Sequence, residues 1–167
     1  MAAAMEYEED EHDVELVGTY LDARDRALTV HEAGHAVVAR ALGAEVVFVE
    51  IDLATGDGGS RSQNFADQVH NLAVCVAGCR AEHAFDARAS RKTKIGDFRT
   101  MRKLLSQLPE ADRRPARAEG YRLADAILNQ HAAKVQRLAN ELMARRWQDG
   151  ADTVRIDGDE LIALLDG

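Results

Sequence analysis

The sequence of 167 residues has few cysteines and prolines and no long apolar run. Its two cysteines, Cys75 and Cys79, lie four residues apart in an apolar segment, so we expect buried free thiols in a reducing compartment and no disulfide framework. No run approaches the roughly 18 apolar residues of a membrane helix, and the N-terminus lacks the basic and apolar regions of a secretory signal. These absences predict a cytoplasmic protein without a membrane span.

Positive charge is also scarce. Lysine and arginine number 21 against 29 aspartates and glutamates, which gives a formal net charge of −8. An acidic surface repels phosphate backbones, so we expect no nucleic-acid partner. Residues 1–13 are strongly acidic and predict a flexible tail, and residues 14–167, which contain no proline-rich linker and no internal repeat, predict a single domain.

Apolar periodicity predicts a predominantly helical α+β fold with one short sheet. Helical spacing recurs in five segments, at about 25–42, 66–87, 97–108, 110–130 and 131–148. The β-branched run 44–53 predicts a strand, and the glycine-rich stretch 55–60 predicts a turn. The basic stretch 89–96 predicts a loop, and the end of the chain predicts a short extended piece followed by a capped helix.

The segment TVHEAGHAVV contains His31, Glu32 and His35 in a His-Glu-x-x-His pattern. On a helix the two histidines lie one turn apart on the same face, where both rings can reach a single metal ion at about 2.0–2.1 Å. Glu32 lies beside that face and can touch water bound to the metal, whose pKa zinc lowers toward about 7. The pattern predicts a metal-activated hydrolase with Glu32 as general base. Histidines with ordinary hydrogen bonds on a metal-free helix are the alternative.

A catalytic zinc needs a third protein ligand and an open position. The longer form of the motif has a further histidine six residues after the second, but this chain has Ala41 there. Two acids are left as candidates. Glu82 lies in the following helical segment, and Asp97 lies at the predicted start of a later helix.

Three separated segments together resemble the peptidase domain of the FtsH-type zinc metalloproteases. VHEAGHAVVARAL resembles the zinc-binding helix of that family, NLAVCVAGCRAEHAF resembles its second long helix, and KIGDFRTMRKLL resembles the segment that supplies its third ligand. The C-terminal helices are similar too, so the resemblance covers about residues 24–166. It implies one Zn²⁺ per chain, peptide or unfolded protein as substrate, and hydrolysis of peptide bonds.

The resemblance also implies a role for each matching residue. His31, His35 and Asp97 would be the metal ligands, Glu32 the catalytic acid and base, and Glu82 a residue that holds a ligand from behind. The strand after the zinc helix would present an edge to extended substrate. In this sequence that substrate strand is Val46, Val47, Phe48, Val49, Glu50 and Ile51.

The chain departs from the family in several ways. No G-x-x-x-x-G-K-[ST] phosphate loop and no membrane segment occurs, and Cys79 stands at the second glycine of the helix motif. We therefore expect a peptidase that does not use ATP itself and that relies on flexible substrates or on a separate unfoldase or activator. The alternative is a catalytically silent metal-binding domain for regulation or peptide docking. Iron or manganese also suits two imidazoles and a carboxylate.

Overall fold

The computed structural model describes residues 11–87, 91–146, 148 and 151–167. Its elements, in chain order, are α1 (Glu11–Ala41), β1 (Val46–Asp52), β2 (Asp57–Ser62), α2 (Gln68–Ala84), α3 (Arg91–Ser106), α4 (Glu110–Gln130), α5 (Ala132–Arg145), β3 (Thr153–Asp157) and α6 (Gly158–Asp166). The predicted class, a predominantly helical α+β fold with one short sheet, is confirmed. No helix in the described part of the chain is both long and apolar enough to cross a membrane.

The centre of the fold is the close crossing of α1 and α2. Both helices present small buried side chains, among them Ala33 and Ala77. Gly34 is needed at the crossing, because a Cβ atom there would lie 2.6 Å from the Cβ of Ala81 and 2.9 Å from the carbonyl oxygen of Ala77. The absence of a side chain at this position brings the two backbones together, and with them the functional side chains of both helices.

The helix α1 is longer than the sequence pattern predicts. It begins at Glu11, so the last three residues of the predicted tail are helical, whereas residues 1–10 lie outside the described residues. It ends at Ala41, and Gly43 follows with a φ of +91°, a left-handed conformation that glycine adopts without strain. The end of the helix agrees with the predicted segment, which ends at about residue 42.

The described strands form one antiparallel sheet with the order β2-β1-β3. Val49 of β1 pairs with Ser60 of β2 on one side and with Ile156 of β3 on the other. The prediction that Val46–Ile51 presents an edge is therefore wrong, since this strand is the central one. The predicted turn at 55–60 is also corrected, because a second strand begins at Asp57.

The helix α3 begins at Arg91, so part of the predicted basic loop is helical and Asp97 lies in the second turn. The long C-terminal helices are confirmed as two elements, α4 and α5, that are separated at His131. The end of the chain is extended and then helical, as predicted. Arg146 ties the end of α5 to α1 through a buried ion pair of 2.7 Å with Asp25.

Candidate metal centre

The two histidines of α1 point into one buried space. His31 and His35 are one helical turn apart, and their Nε2 atoms lie 3.1 Å from each other. The rings meet edge to face, with centroids 4.7 Å apart. Both residues are more than nine-tenths buried. Two imidazoles therefore converge on one point between α1 and α2, as their spacing predicts.

Asp97 of α3 reaches the same point. Its Oδ2 atom lies 3.1 Å from Nε2 of His31 and 3.4 Å from Nε2 of His35. One ligand atom from each of the three residues thus falls within 4.8 Å of the others. The structure brings together all three residues predicted as ligands, although one comes from a helix more than 60 positions later in the chain.

The Nδ1 atoms of both rings, which point away from the shared space, have hydrogen-bond partners. Nδ1 of His31 lies 2.6 Å from Oε1 of Glu82, and Nδ1 of His35 lies 2.7 Å from the carbonyl oxygen of Val74. A carbonyl oxygen only accepts, so Nδ1 of His35 is the donor. In the neutral ring, Nε2 of His35 then has no proton, and its lone pair is available to a metal ion. Glu82 is 2% exposed, and its contact with Nδ1 of His31 is the one that the predicted supporting role requires.

The carboxylates of this cluster are balanced by positive charge on the imidazole rings. Burial by itself lowers the pKa of His31, but hydrogen bonds to Asp97 and Glu82 raise it to about 10. Burial raises the pKa of Asp97, and the hydrogen bonds from His31 and His35 outweigh this and hold it well below its usual range. Without a metal, protons thus supply the positive charge that the carboxylates require. Neutral imidazole nitrogens with a carboxylate oxygen are a donor set that fits Zn²⁺.

A glycine of α2 leaves the space in which these atoms meet. A Cβ atom on Gly78 would lie 2.5 Å from Nε2 of both His31 and His35. Any side chain would therefore collide with the two ring nitrogens of the predicted ligands. The backbone of α2 can pass this close to the site because residue 78 is a glycine.

Glu32 shares the cleft with the three ligand residues. It is 4% exposed, and burial raises its pKa, although the nearby His35 and His31 act in the opposite direction. Gly58 of β2 makes room for it, since a Cβ atom there would lie 2.8 Å from Cγ and Oε1 of Glu32. The carboxylate is thus held beside the ligand face, where the motif places a general base.

The cleft over the site has a volume of about 390 Å³. One wall is β2, which contributes Asp57, Gly58, Gly59, Ser60 and Ser62. The opposite wall is α3, and α1 and α2 form the floor. The predicted substrate strand β1 contributes no residue to this cleft. No sequence pattern had indicated that β2 forms a wall of the cleft.

Lys94 is a residue near the site that no sequence pattern indicated. It was assigned to a solvated basic loop, but it lies on α3, and its Nζ atom is 2.9 Å from Oε2 of Glu82. A chain of contacts therefore runs from Lys94 through Glu82 to His31. The only sequence feature that could have indicated the pair of Lys94 and Glu82 was a basic residue one turn before Asp97 together with an acid on the preceding helix.

Both cysteines are free, as predicted. Cys75 is buried and donates to the carbonyl oxygen of Asp97 at 3.1 Å, and Sγ of Cys79 lies 3.8 Å from Oδ2 of Asp97. Burial, strengthened by the charge of Asp97, raises the pKa of each thiol to about 12. Cys79 also forms a second possible ligand group with His31 and Glu82.

Comparison with protein-family models and with curated proteins finds no match for this chain. The resemblance to the FtsH-type peptidase domain therefore stays a prediction that depends on three motifs. Any conclusion about function has to come from the geometry and chemistry of the cleft.

Proposed function

We propose that this chain is a zinc-dependent endopeptidase that binds one Zn²⁺ through His31, His35 and Asp97 and uses Glu32 as its general base. The observation that carries the proposal is the convergence of two imidazole Nε2 atoms and one carboxylate oxygen at 3.1–3.4 Å, with Glu32 in the same cleft. Two imidazoles and one carboxylate leave a fourth position for solvent or substrate, as catalytic zinc sites do.

When bound, zinc supplies Lewis acidity that polarises the scissile carbonyl group and lowers the pKa of water at the site. The carboxylate of Glu32 accepts the proton of the attacking water as the new C–O bond forms at the carbonyl carbon. It then delivers that proton to the amide nitrogen as the C–N bond breaks. Burial favours this role because it raises the pKa of Glu32 and makes the carboxylate a stronger base.

An extended substrate would bind along β2. This strand lines the cleft and pairs with β1 on one side, and no other described strand pairs with its outer edge. A peptide that added to this edge would form main-chain hydrogen bonds and pass between β2 and α3, over the ligand residues. This proposal replaces the earlier assignment of the substrate edge to Val46–Ile51.

The test is a Glu32→Gln variant of protein purified without a histidine tag. We expect it to retain about one zinc per chain by metal analysis while its cleavage of an unfolded, fluorescently labelled protein falls by at least about 100-fold. His35→Ala and Asp97→Ala are the matched variants, and we expect these to lose the zinc as well. A Glu32→Gln variant that cleaves as fast as wild type refutes the role of Glu32. A zinc-loaded wild type that cleaves no unfolded protein favours the silent metal-binding domain.

A further inference from the structure

Two large apolar side chains of α3 face away from the cleft. Ile95 is 56% exposed and Phe98 is 45% exposed, the highest values for large apolar residues in the described part of the chain. They lie one turn apart. Leu105, which is partly buried against the core, lies on the same side of the helix two turns after Phe98. Neighbouring exposed apolar side chains are typical of interaction sites.

Next to Leu105 the surface opens into a groove between α3 and α4 with a volume of about 630 Å³. Its walls carry three arginines and its floor is partly apolar; the lining residues are Leu105, Arg113, Arg114, Arg117, Ala118 and Tyr121. Arg113 donates from Nε to the carbonyl oxygen of Leu108. Among the described residues, none of the three guanidinium groups forms an ion pair.

The charge of this region is opposite to that of the chain. The protein has a net charge of −8, yet Arg113 and Arg117 lie four apart on one helix face, where like charges repel. The exposed residues Arg99, Arg102 and Lys103 of α3 add further positive charge beside the apolar pair. A carboxylate-bearing partner would relieve this repulsion and would match the fork of each guanidinium group.

We propose that α3 and the start of α4 form a docking surface for an acidic, amphipathic helical segment of another protein. Ile95 and Leu105 are ten residues apart on α3, so the surface is about 15 Å long and fits roughly three turns of a partner helix. Apolar side chains of that helix would cover Ile95, Phe98 and Leu105, and its glutamates or aspartates would pair with the arginines of the groove. The apolar component favours a polypeptide over a free phosphate or a nucleic acid.

This surface lies on the side of α3 opposite to the residues that line the cleft, which are Thr93, Gly96, Asp97 and Thr100. Binding there would leave the cleft open, and it does not depend on zinc. The docking proposal therefore stands or falls independently of the peptidase proposal. A bound partner would lie on the helix that carries Asp97, so it could also shift the position of that residue in the cleft.

The experiment measures fluorescence anisotropy of a labelled peptide of about 14 residues, with leucines three and four apart and glutamates between them, against the full chain. We expect saturable binding that weakens at about 0.5 M salt. Two double variants, Arg114→Glu/Arg117→Glu and Ile95→Ser/Phe98→Ser, should each weaken it at least about tenfold. A matched charge reversal at exposed sites elsewhere, Arg26→Glu/Arg137→Glu, should leave it unchanged.

Two control peptides keep the test independent of how the variants fold. One replaces each glutamate by glutamine and the other replaces each leucine by serine, and both should bind at least about tenfold more weakly. Equal binding of either control peptide overturns the proposal, as does equal weakening by the Arg26→Glu/Arg137→Glu control. Displacement of the acidic peptide by inorganic phosphate or by a DNA oligonucleotide at similar concentration also overturns it. The proposal is also overturned if the chain associates with itself and Ile95→Ser/Phe98→Ser abolishes that self-association, because the surface would then bind a second copy of the chain.

Discussion

Replacement of Gly78 by alanine tests the metal centre with a single methyl group. In the structure the added Cβ atom would lie 2.5 Å from Nε2 of both His31 and His35 and 2.6 Å from Cε1 of His31. Ordinary van der Waals contact lies near 3.5 Å, so the rings or the helix would have to move by about 1 Å. Zinc–nitrogen bonds tolerate deviations of only about 0.2 Å, so both bonds cannot survive that movement unchanged.

The size of the effect follows from two opposing contributions. Extra volume in a well-packed interior costs about 1–3 kcal/mol, and if the zinc-bound state bears this cost, the affinity for zinc falls about five- to 150-fold. Against this, alanine is favoured over glycine inside a helix by up to about 1 kcal/mol. In the metal-free protein no bonds to zinc fix the rings, so they can move away from the methyl group and the unfolding free energy should change little, while zinc affinity falls clearly.

Gly96→Ala is the matched control. Gly96 also lies within a helix at the cleft, but a Cβ atom there would meet nothing within 4 Å. This variant should keep the zinc affinity of wild type and gain up to about 1 kcal/mol of stability. Zinc affinity is measured by competition with a chromophoric chelator, and stability by thermal unfolding with and without zinc. If Gly78→Ala binds zinc as tightly as Gly96→Ala does, the two ring nitrogens are not the ligand atoms and the proposed centre is refuted.

Two further predictions concern ion pairs at and away from the cleft. Lys94→Met leaves the buried Glu82 with one partner fewer. Because the Lys94 side chain is 35% exposed, we expect only about a tenfold loss of zinc affinity. Lys94→Arg should bind zinc nearly as tightly as wild type, and Lys103→Met, at an exposed position of the same helix, should have no effect on zinc affinity. An unchanged chelator titration for Lys94→Met would show that the contact does not support His31. Asp25→Asn leaves Arg146 buried without its buried carboxylate partner and should destabilise the fold by about 3 kcal/mol, the lower end of the usual range because the exposed Asp22 still contacts Arg146. For a chain of this size that loss lowers the melting temperature by about 6–12 °C in thermal unfolding, and a shift as small as that of the exposed Asp166→Asn would contradict the structural role of the pair.

The positions of His31, Glu32 and His35 relative to one another were predictable, because they depend only on the helical repeat. The stop of α1 at Gly43 and the strand character of Val46–Asp52 follow in the same way from local residue preferences. Asp97 was assigned as a ligand by resemblance to a family. No periodicity links a residue on α3 to a residue on α1, so only packing could bring the two together.

The sheet shows where local reasoning fails. The sequence of β2, DGGSRS, contains two glycines and no apolar residue, so by itself it favours a turn. It becomes a strand because β1 supplies its hydrogen-bond partners and because Gly58 leaves space for the side chain of Glu32. Whether β1 is an edge or a central strand depends on β3, about 100 residues later, and no pattern within β1 contains that information.

The sequence by itself therefore determined the class of the fold and the helix that presents two imidazoles and a carboxylate, because these depend on neighbours within about one turn. The tertiary structure alone decided that Asp97 meets the imidazoles, that Lys94 pairs with Glu82, that β2 forms the wall of the cleft and that the arginines of α4 border the apolar face of α3. Each of these requires two segments distant in the chain to pack at a particular angle. Gly34 permits the close crossing of α1 and α2, and pairing with β1 places β2 beside the cleft, whereas neither segment of each pair contains the position of the other.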